Sequence, residues 1–282
     1  PYLFIKEAVD SYSPAAVVAG RTLLGAAVLL PLAIHRRALR PALRAWPWVL
    51  AFGAIEMAGP FLLLGHAEQT LPSGLTGLLV ATVPLFAAII ALMRGDRGVL
   101  APSRAIGLGL GFAGVALIVL GPGLDVSDPD RALVAVAEVL LVALLYAIAP
   151  FIIATKLADV PSLGTITLAL LAVGTFYLPI ALLTQHEVPT LRATASLAAL
   201  GILCTALAFI AFFALIREVG PVRAPLFTYV NPIVAIVLGV IILNEPLSPG
   251  LLAGFPLVIA GCWLAATGGR LRRRRTPLTP AI

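Results

Sequence analysis

Charge is scarce in this sequence. Only 11% of its 282 residues are charged, while 61% are hydrophobic; a soluble globular domain is about 25% charged and about 45–50% apolar. So few charges cannot cover a water-facing surface, which excludes an ordinary soluble fold. Cysteine and histidine are also rare, with two and three residues, and their scattered positions fit neither a disulfide framework nor a metal site. We therefore expect no metal and no cofactor.

The apolar residues form runs that are long enough to cross a bilayer, which takes roughly 20 residues per helix. One run is interrupted by Arg21 and another by Glu56, and the first resembles the outer end of a helix whose beginning is absent. The sequence therefore predicts an all-α integral membrane protein of ten spans, the first one truncated. In order, the predicted spans are 1–9, 14–34, 46–67, 69–93, 105–124, 139–155, 160–185, 193–216, 224–244 and 246–269.

Basic residues decide the topology. The net charge is +6 and the pI about 9.9, but arginine and lysine gather in the loops after spans two, four, six and eight and in the tail, whereas the opposite loops hold only Arg131 and Arg192. By the positive-inside rule the first set is cytoplasmic, which places both termini on the cytoplasmic side of the cell membrane. The charge thus reports orientation and indicates no nucleic-acid partner. The run Arg272–Arg275 can also contact anionic lipid headgroups.

The two halves of the chain are related. A shift of 148 residues superposes Pro31 on Pro179, Gly53 on Gly201, and Pro84 on Pro232, which indicates a tandem duplication. We predict a first repeat at 1–123, a connecting loop at 124–130, a second repeat at 131–269 and a basic cytoplasmic tail at 270–282. Each repeat has five spans, an odd number, so the repeats are inverted in the membrane. Inverted repeats are typical of secondary transporters.

Three stretches carry a family resemblance: FIKEAVDSYSPAAVVAGRTLLGAAVLLPLA, LPSGLTGLLVATVPLFAAIIALMRGDR and VGPVRAPLFTYVNPIVAIVLGVIILNEPLSPGLLAGFPLVIAGCWL. With them the chain resembles the EamA family of the drug/metabolite transporter superfamily. The family pattern of a proline followed by an acidic residue is met by Pro84 with Asp96 and by Pro232 with Glu245. The resemblance implies a ten-helix carrier with a cavity lined by spans one, three, four, six, eight and nine. It implies amino acids, sugars, nucleotide-like metabolites or amphiphilic drugs as substrates.

Three ionisable residues interrupt or border the long apolar runs: Arg21 in span two, Glu56 in span three, and Glu138 at the start of span six. A charged side chain at a helix centre costs at least about 2.5–3.5 kcal/mol on insertion scales, so its presence indicates a specific role. Because a carboxyl group in apolar surroundings holds a proton more readily than one in water, Glu56 is a candidate proton-coupling or substrate-ammonium site. Glu138 can lie at a cavity mouth. For all three, an internal ion pair or hydrogen bond that fixes helix packing is the alternative.

Polar side chains beside prolines supply further candidates. Tyr146 lies in span six, and Tyr229 and Asn231 immediately precede Pro232 in span nine. Proline frees a backbone carbonyl of the preceding turn, which leaves polar groups available to a ligand. Residues 229 and 231 point about 200° apart on one helix, so only one of them faces a cavity squarely. A kink stabilised by Asn231 itself is the alternative.

Span five contains a glycine pattern, Gly109, Gly111 and Gly114, that matches the dinucleotide-binding fingerprint. A true fingerprint follows a strand and opens a helix; this one lies inside an apolar span, where glycines at such spacing permit close helix contact. We therefore reject nucleotide binding and regard the glycines as a candidate homodimer face.

The sequence thus predicts a transporter that moves a small metabolite through the cytoplasmic membrane by alternating access, as an exporter or exchanger coupled to an ion gradient, with protons as the first candidate ion. It contains no HExxH, CxxC, nucleophile-elbow or phosphate-loop motif, so we do not expect an enzyme. Two alternatives stay open at this point: an integral-membrane enzyme that acts on a lipid-linked substrate, and a membrane scaffold that transports nothing.

Overall fold

The computed structural model describes residues 1–120, 129–219, 230–245 and 247–268. These residues form helices and short connections, with no β-strand among them. Eight helices are long and apolar enough to cross a membrane, which confirms the predicted all-helical membrane protein. The helices are α1 Tyr2–Ala8, α2 Pro14–His35, α3 Leu39–Arg44, α4 Trp46–Thr70, α5 Ser73–Met93, α6 Pro102–Leu120, α7 Pro129–Lys156, α8 Ser162–Thr184, α9 191–219, α10 Asn231–Leu243 and α11 Pro249–Thr267.

Large apolar side chains point away from the protein along the long helices. In α8 the exposed fraction is 63% for Phe176 and 76% for Leu183, and in α10 it is 70% for Ile241. In water such a surface would drive association with other apolar surfaces. In a bilayer the same side chains contact lipid chains, so the exposed surface fits the hydrocarbon core that the span lengths require.

Short polar signals set the helix ends. The side-chain oxygens of Ser13, Thr190 and Ser248 each accept a hydrogen bond, at 3.1–3.2 Å, from the backbone N–H three residues later. These bonds satisfy donors that have no partner inside the helix. At the other ends, α10 stops at Asn244 (φ 53°) and α11 at Gly268 (φ 65°), both in the left-handed conformation that ends a helix.

Proline breaks the regular helix in the first half. Pro84 has no N–H to donate, and α5 contains a turn at 81–82 just before it. In α4 a π-helical segment, Ala54–Ala58, precedes Pro60, and the N–H of Gly59 reaches back five residues to the carbonyl of Ala54. These breaks place irregular backbone in the middle of two long helices.

The second half has a π-helical segment at the equivalent place. Ile202–Leu207 lies in α9, and its first residue follows Ala54 by 148 positions. No proline follows it; instead the hydroxyl of Thr205 donates to the carbonyl of Leu200, five residues earlier, at 2.8 Å. The same backbone departure is therefore supported by different side chains in the two halves.

Helices of the two halves pack against each other throughout. The most extensive pairs are α6 with α11 and α2 with α8, and α7 packs on both α4 and α5; α2 with α9, α5 with α10, and α1 with α9 are further pairs between the halves. The buried core forms two clusters: one is centred on α1, α5, α7 and the second half of α11, and the other on α2, α4 and α8. The first and second halves are thus one interlocked bundle in the described part of the chain.

Glycine makes the α6–α11 contact close. A Cβ on Gly107 would lie 2.5 Å from the backbone N of Ala265, and a Cβ on Gly261 would overlap the backbone of Gly111. The glycine pattern of span five therefore lies inside a helix, in agreement with the rejection of nucleotide binding. Gly114 faces α11 of the same chain, whereas no atom lies within 4 Å of a Cβ on Gly109. A homodimer through this span stays a prediction.

Several predicted boundaries differ from the described helices. The helix α4 continues to Thr70, beyond the predicted end of span three at 67, and α7 begins at Pro129, inside the predicted connecting loop. In span nine the described helix begins at Asn231, and 220–229 lie outside the described residues. Most of the connecting loop and the predicted basic tail, including Arg272–Arg275, also lie outside them.

Candidate functional site

A buried arginine lies between the two halves of the bundle. The side chain of Arg21, on α2, is 7% exposed, and its Nε donates to the hydroxyl of Thr205 on α9 at 3.1 Å. Its guanidinium carbon lies 3.7 Å from the centre of the Phe61 ring on α4, a cation–π contact. The terminal guanidinium nitrogens make no hydrogen bond to a residue in the described ranges. Arg21 is thus a buried cation that is held by neutral groups.

Glu56 and Tyr146 lie near this cation. Glu56 belongs to the π-helical segment of α4 and is half-buried, and its carboxyl makes no hydrogen bond within the described part of the chain. Tyr146, on α7, lies within electrostatic range of both Glu56 and Arg21. Two predicted site residues, Arg21 and Glu56, are therefore within electrostatic range of a third, Tyr146. π-Helical segments occur frequently at functional sites, and this one carries an acid within range of Tyr146.

Glu138 has a partner elsewhere. Both of its carboxyl oxygens lie 2.8 Å from Nδ1 of His66 on α4, and the two side chains are 18% and 58% exposed. This pair links α4 to α7 at a hydrated position. Its geometry fits the packing role that we set against a cavity role.

The last two predicted residues are at the start of α10. Asn231 is the first residue of that helix and is half-buried; its side chain makes no hydrogen bond to a described residue. Tyr229 lies outside the described residues. Asn231 is thus at a helix end next to Pro232, as predicted, with polar atoms that are not committed to a described neighbour.

Sequence reasoning missed a second acidic residue in α4. Glu68 is 0% exposed, and neither of its carboxyl oxygens has a hydrogen-bond partner among the described residues. We ended span three at 67 because the apolar run stops there. Helical spacing carried the missing signal: Leu64, Ala67 and Leu71 are buried on one face, and position 68 belongs to that face.

Glu245 joins the end of α10 to the beginning of α5. Its two carboxyl oxygens accept hydrogen bonds from the N–H of Ser73 at 2.7 Å, from the Ser73 hydroxyl at 3.0 Å and from the N–H of Gly74 at 3.2 Å. The absence of a side chain at Gly239 leaves room for this carboxylate. A negative group at a helix N-terminus satisfies free donors and complements the helix dipole.

Other polar contacts lie at the same end of the bundle, which we define as the α4–α5 end because α4 ends and α5 begins there. Lys6 donates to the main-chain oxygens of Glu68 at 2.6 Å and Leu71 at 3.1 Å. Three more contacts connect α1 and α2 to α8 and α9; they are Glu7 with Arg192 and Ser196, Ser13 with Thr184 and Gln185, and Tyr12 with Thr194. This end is therefore closed by links between the halves.

Within the described part of the chain, no group of three or more histidine, cysteine, aspartate or glutamate side chains could hold a metal ion. The candidate site thus consists of the cation Arg21, Tyr146 and the acid Glu56.

A family model matches residues 2–120 and again 133–267, and its description is the EamA-like transporter family. The chain belongs to the EamA-like transporter family. Among relatives of this EamA-like chain, a probable terminal-alkyne amino-acid exporter of Streptantibioticus cattleyicolor is 28% identical over 278 residues, which cover 97% of this chain and 91% of the relative. The uncharacterized inner membrane transporter YedA of Escherichia coli K12 is 24% identical, with 100% and 90% covered.

A solved crystal structure shares the fold of this EamA-like protein. It matches with a TM-score of 0.65 and 21% sequence identity, and the match covers 94% of each chain. The family prediction is confirmed, and of the fold prediction the all-helical membrane protein is confirmed, whereas the ten-helix inverted repeat stays a prediction. The relatives support a multi-pass membrane transporter. That so many relatives are named as transporters agrees with the expectation that the chain is not an enzyme.

Proposed function

We propose that this EamA-like protein is a secondary transporter that moves a small amphoteric metabolite, with amino acids as the first candidates, across the cytoplasmic membrane by alternating access. The observation that carries the proposal is the buried cation Arg21, with the half-buried Tyr146 within electrostatic range of both Arg21 and Glu56. A fixed cation and an acid on either side of one tyrosine, in a bundle of two helical halves, suit a substrate with both an anionic and a cationic group. One relative is named a probable amino-acid exporter, which supports the substrate class and the direction.

The two halves act as inverted repeats of five helices in this proposal, with boundaries at 1–123 and 131–269. Helices that correspond under the shift of 148 residues pack as pairs, namely α2 with α8 and α5 with α10. The two π-helical segments are also separated by this shift. Both features support a pseudo-twofold arrangement, in which one half rocks against the other around a site near the membrane midplane.

The orientation follows from the basic loops, which place both termini in the cytoplasm and the α4–α5 end outside. With that orientation the arrangement described here is closed to the outside by the Glu245, Lys6 and Glu7 contacts. Two cationic side chains near the opposite end lie over aromatic rings instead: Arg94 over Phe151 at 5.0 Å and Lys156 over Trp48 at 4.7 Å.

Arg21 binds the anionic group of the substrate. Its terminal guanidinium nitrogens are available to an acceptor on the substrate. Arginine suits carboxylates because two parallel hydrogen bonds can form. Glu56 binds the ammonium group or a coupling proton, and Tyr146 lies between the two. Since an apolar environment strengthens such charge-assisted bonds, a substrate that lacks either group would bind more weakly.

The test is counterflow transport by the purified protein in liposomes. Amino acids, a neutral sugar and a cationic dye are offered in labelled form, with and without an imposed pH gradient. Loss of a charge-assisted hydrogen bond costs about 1.5–3 kcal/mol, so Arg21→Gln should raise the KM for an amino acid roughly 10- to 150-fold. Arg40→Gln, at an exposed position on α3, is the matched control and should leave KM unchanged.

Three results would count against the proposal. Amino-acid flux with an unchanged KM in folded Arg21→Gln protein would remove Arg21 from the site. Gradient-dependent flux that survives Glu56→Gln would remove Glu56 as the coupling site and leave the transporter standing. Failure of the folded wild-type protein to move any of the offered compounds would favour the scaffold hypothesis. Thr205→Val, which removes the hydrogen bond to Arg21 and the bond to the carbonyl of Leu200 but keeps the cation, tests the same site by a second route.

A further inference from the structure

Glu68 is a buried acid that the proposed substrate site does not use. Its carboxyl lies near the end of α4, among the apolar residues Leu64, Ala67 and Leu71. Neither oxygen has a hydrogen-bond partner within the described ranges. A buried carboxylate without a partner costs several kcal/mol, so the described arrangement suits the neutral acid.

One nearby cation is bound to the backbone of the same residue. The ammonium group of Lys6, on α1, donates to the main-chain oxygen of Glu68 at 2.6 Å and to that of Leu71 at 3.1 Å. These two oxygens belong to the last turn of α4, where carbonyls lack helical partners. Lys6 therefore ties α1 to the end of α4 while it stays within reach of the Glu68 side chain.

Charged and titratable groups around Glu68 come from several of the elements that pack on α4. The helix α1 contributes Lys6 and Tyr2, α2 contributes Arg21, and the segment after α10 contributes Glu245. The amino group of Pro1 is also within electrostatic range. On α7, Glu138 is paired with His66 and Tyr146 lies within range of Glu56; Tyr177 of α8 donates to the carbonyl of Ala58, and α5 has no titratable side chain. Lys6 is thus the side chain that both donates to the Glu68 backbone and carries a charge within range of its carboxyl.

We propose that Glu68 is a proton-binding site that controls the closure of the α4–α5 end. With the proton bound, Lys6 holds the end of α4 through main-chain oxygens and the end stays closed. Loss of the proton to water leaves a carboxylate, which draws the Lys6 ammonium away from Leu71. The tie between α1 and α4 is then broken, and the repulsion between Glu68 and Glu245 adds to the opening. This rests on the proposed transport function and adds to it a proton-dependent control of closure at the α4–α5 end, apart from the substrate site.

The test measures closure without any substrate. Spin labels are attached to cysteines at two exposed positions, Gln69 at the end of α4 and His186 between α8 and α9, with Cys204 and Cys262 replaced by serine. Pulsed electron resonance gives the distance distribution in nanodiscs from mildly acidic to mildly alkaline pH. Every form carries an amino-terminal tag, so that the free amino group of Pro1 is absent from the comparison.

In protein with Glu68 intact, the ratio of the long to the short distance should rise about tenfold as the pH rises, which corresponds to the loss of about one charge-assisted hydrogen bond. Glu68→Gln, a permanently neutral isostere, should keep the short distance at every pH, and Glu68→Asp should restore the response. Asp96→Asn, at an exposed acid beyond the other end of α5, is the matched control and should respond like the parent.

A response that is unchanged in Glu68→Gln would overturn the proposal, as would one that Asp96→Asn abolishes. Lys6→Met supplies a second check that does not touch the acid. It removes the tie, so the long distance should be populated already at acidic pH, and a pH response of normal size in this variant would also contradict the mechanism. Because no transport is measured, these results are independent of whether amino acids are the substrate.

Discussion

Removal of the Glu245 carboxyl should loosen the contact between the two halves. The carboxylate accepts three hydrogen bonds at the start of α5, two of them from backbone N–H groups. In Glu245→Ala those N–H groups lose their acceptor, and the helix loses a favourable charge at its N-terminus. A hydrogen bond to a charged group contributes about 1.5–3 kcal/mol, and the charge at the helix end adds about 0.3–1 kcal/mol. We therefore expect the free energy of unfolding to fall by about 2–4 kcal/mol.

The matched control is Asp96→Ala. Asp96 is the other acidic residue that follows a proline-containing span, but it is exposed, and its carboxyl accepts a hydrogen bond only from Gly98, two residues away, among the described residues. Loss of such a local cap costs about 1 kcal/mol. Unfolding in mixed micelles, followed by circular dichroism, gives both values under identical conditions.

A third variant weakens the hydrogen bonds of the carboxylate without removing the Glu245 side chain. In Gly239→Ala the new methyl group would overlap the Glu245 carboxyl, so the hydrogen bonds should weaken although Glu245 is present. The reasoning is refuted if Glu245→Ala destabilises the protein no more than Asp96→Ala does, or if Gly239→Ala is as stable as the parent. If the contact closes one state of the transporter, a loss of 2–4 kcal/mol corresponds to a shift of roughly 30- to 700-fold in the population of that state.

Three further predictions concern packing, topology and the surface pair. Gly261→Ala should destabilise the protein by about 1–3 kcal/mol because α6 leaves no space for a methyl group, whereas Gly109→Ala, where no atom lies within 4 Å, should be neutral or stabilising in the same unfolding assay. A membrane-impermeant thiol reagent should label His186→Cys but not His35→Cys in intact cells; the reverse pattern would contradict the orientation. Glu138→Gln should lower the free energy of unfolding by less than about 1 kcal/mol, because its partner is largely exposed, and should leave KM unchanged; a large rise in KM would return Glu138 to the substrate path.

Composition and periodicity predicted the helices because hydrocarbon demands long apolar runs whatever their detailed packing. The cost of burying a charge likewise marked Arg21 and Glu56 without any knowledge of their neighbours. The same approach failed at Glu68 for a physical reason. An acidic residue near a helix end is usually hydrated, and only the position of α1 over that end places Glu68 out of water.

Partners that are distant in the sequence were beyond prediction. His66 and Glu138 are 72 residues apart, and Glu245 meets Ser73 across 172 residues. The family resemblance drew attention to Glu245 as an acidic position, but hydropathy carries no information on which helix end lies opposite. The cation–π contact of Arg21 with Phe61 was equally beyond prediction, because only the crossing of α2 and α4 brings the two side chains together.

The π-helical segments of α4 and α9 each add one residue to a turn, and one residue corresponds to about 100° of helix rotation and 1.5 Å of length. The part of each helix after the segment therefore presents a different face than an uninterrupted helix would. A change between π and α geometry at these two places would turn and shorten both helices by small, matched amounts. Pro60 fixes this geometry in one half by its missing donor, and Thr205, which also holds Arg21, supports it in the other. A ligand that moves Arg21 would thus act through Thr205 on the backbone of α9. In α4 the π-helical segment is held by Pro60, which a ligand does not change. The two halves would therefore respond unequally to the same ligand.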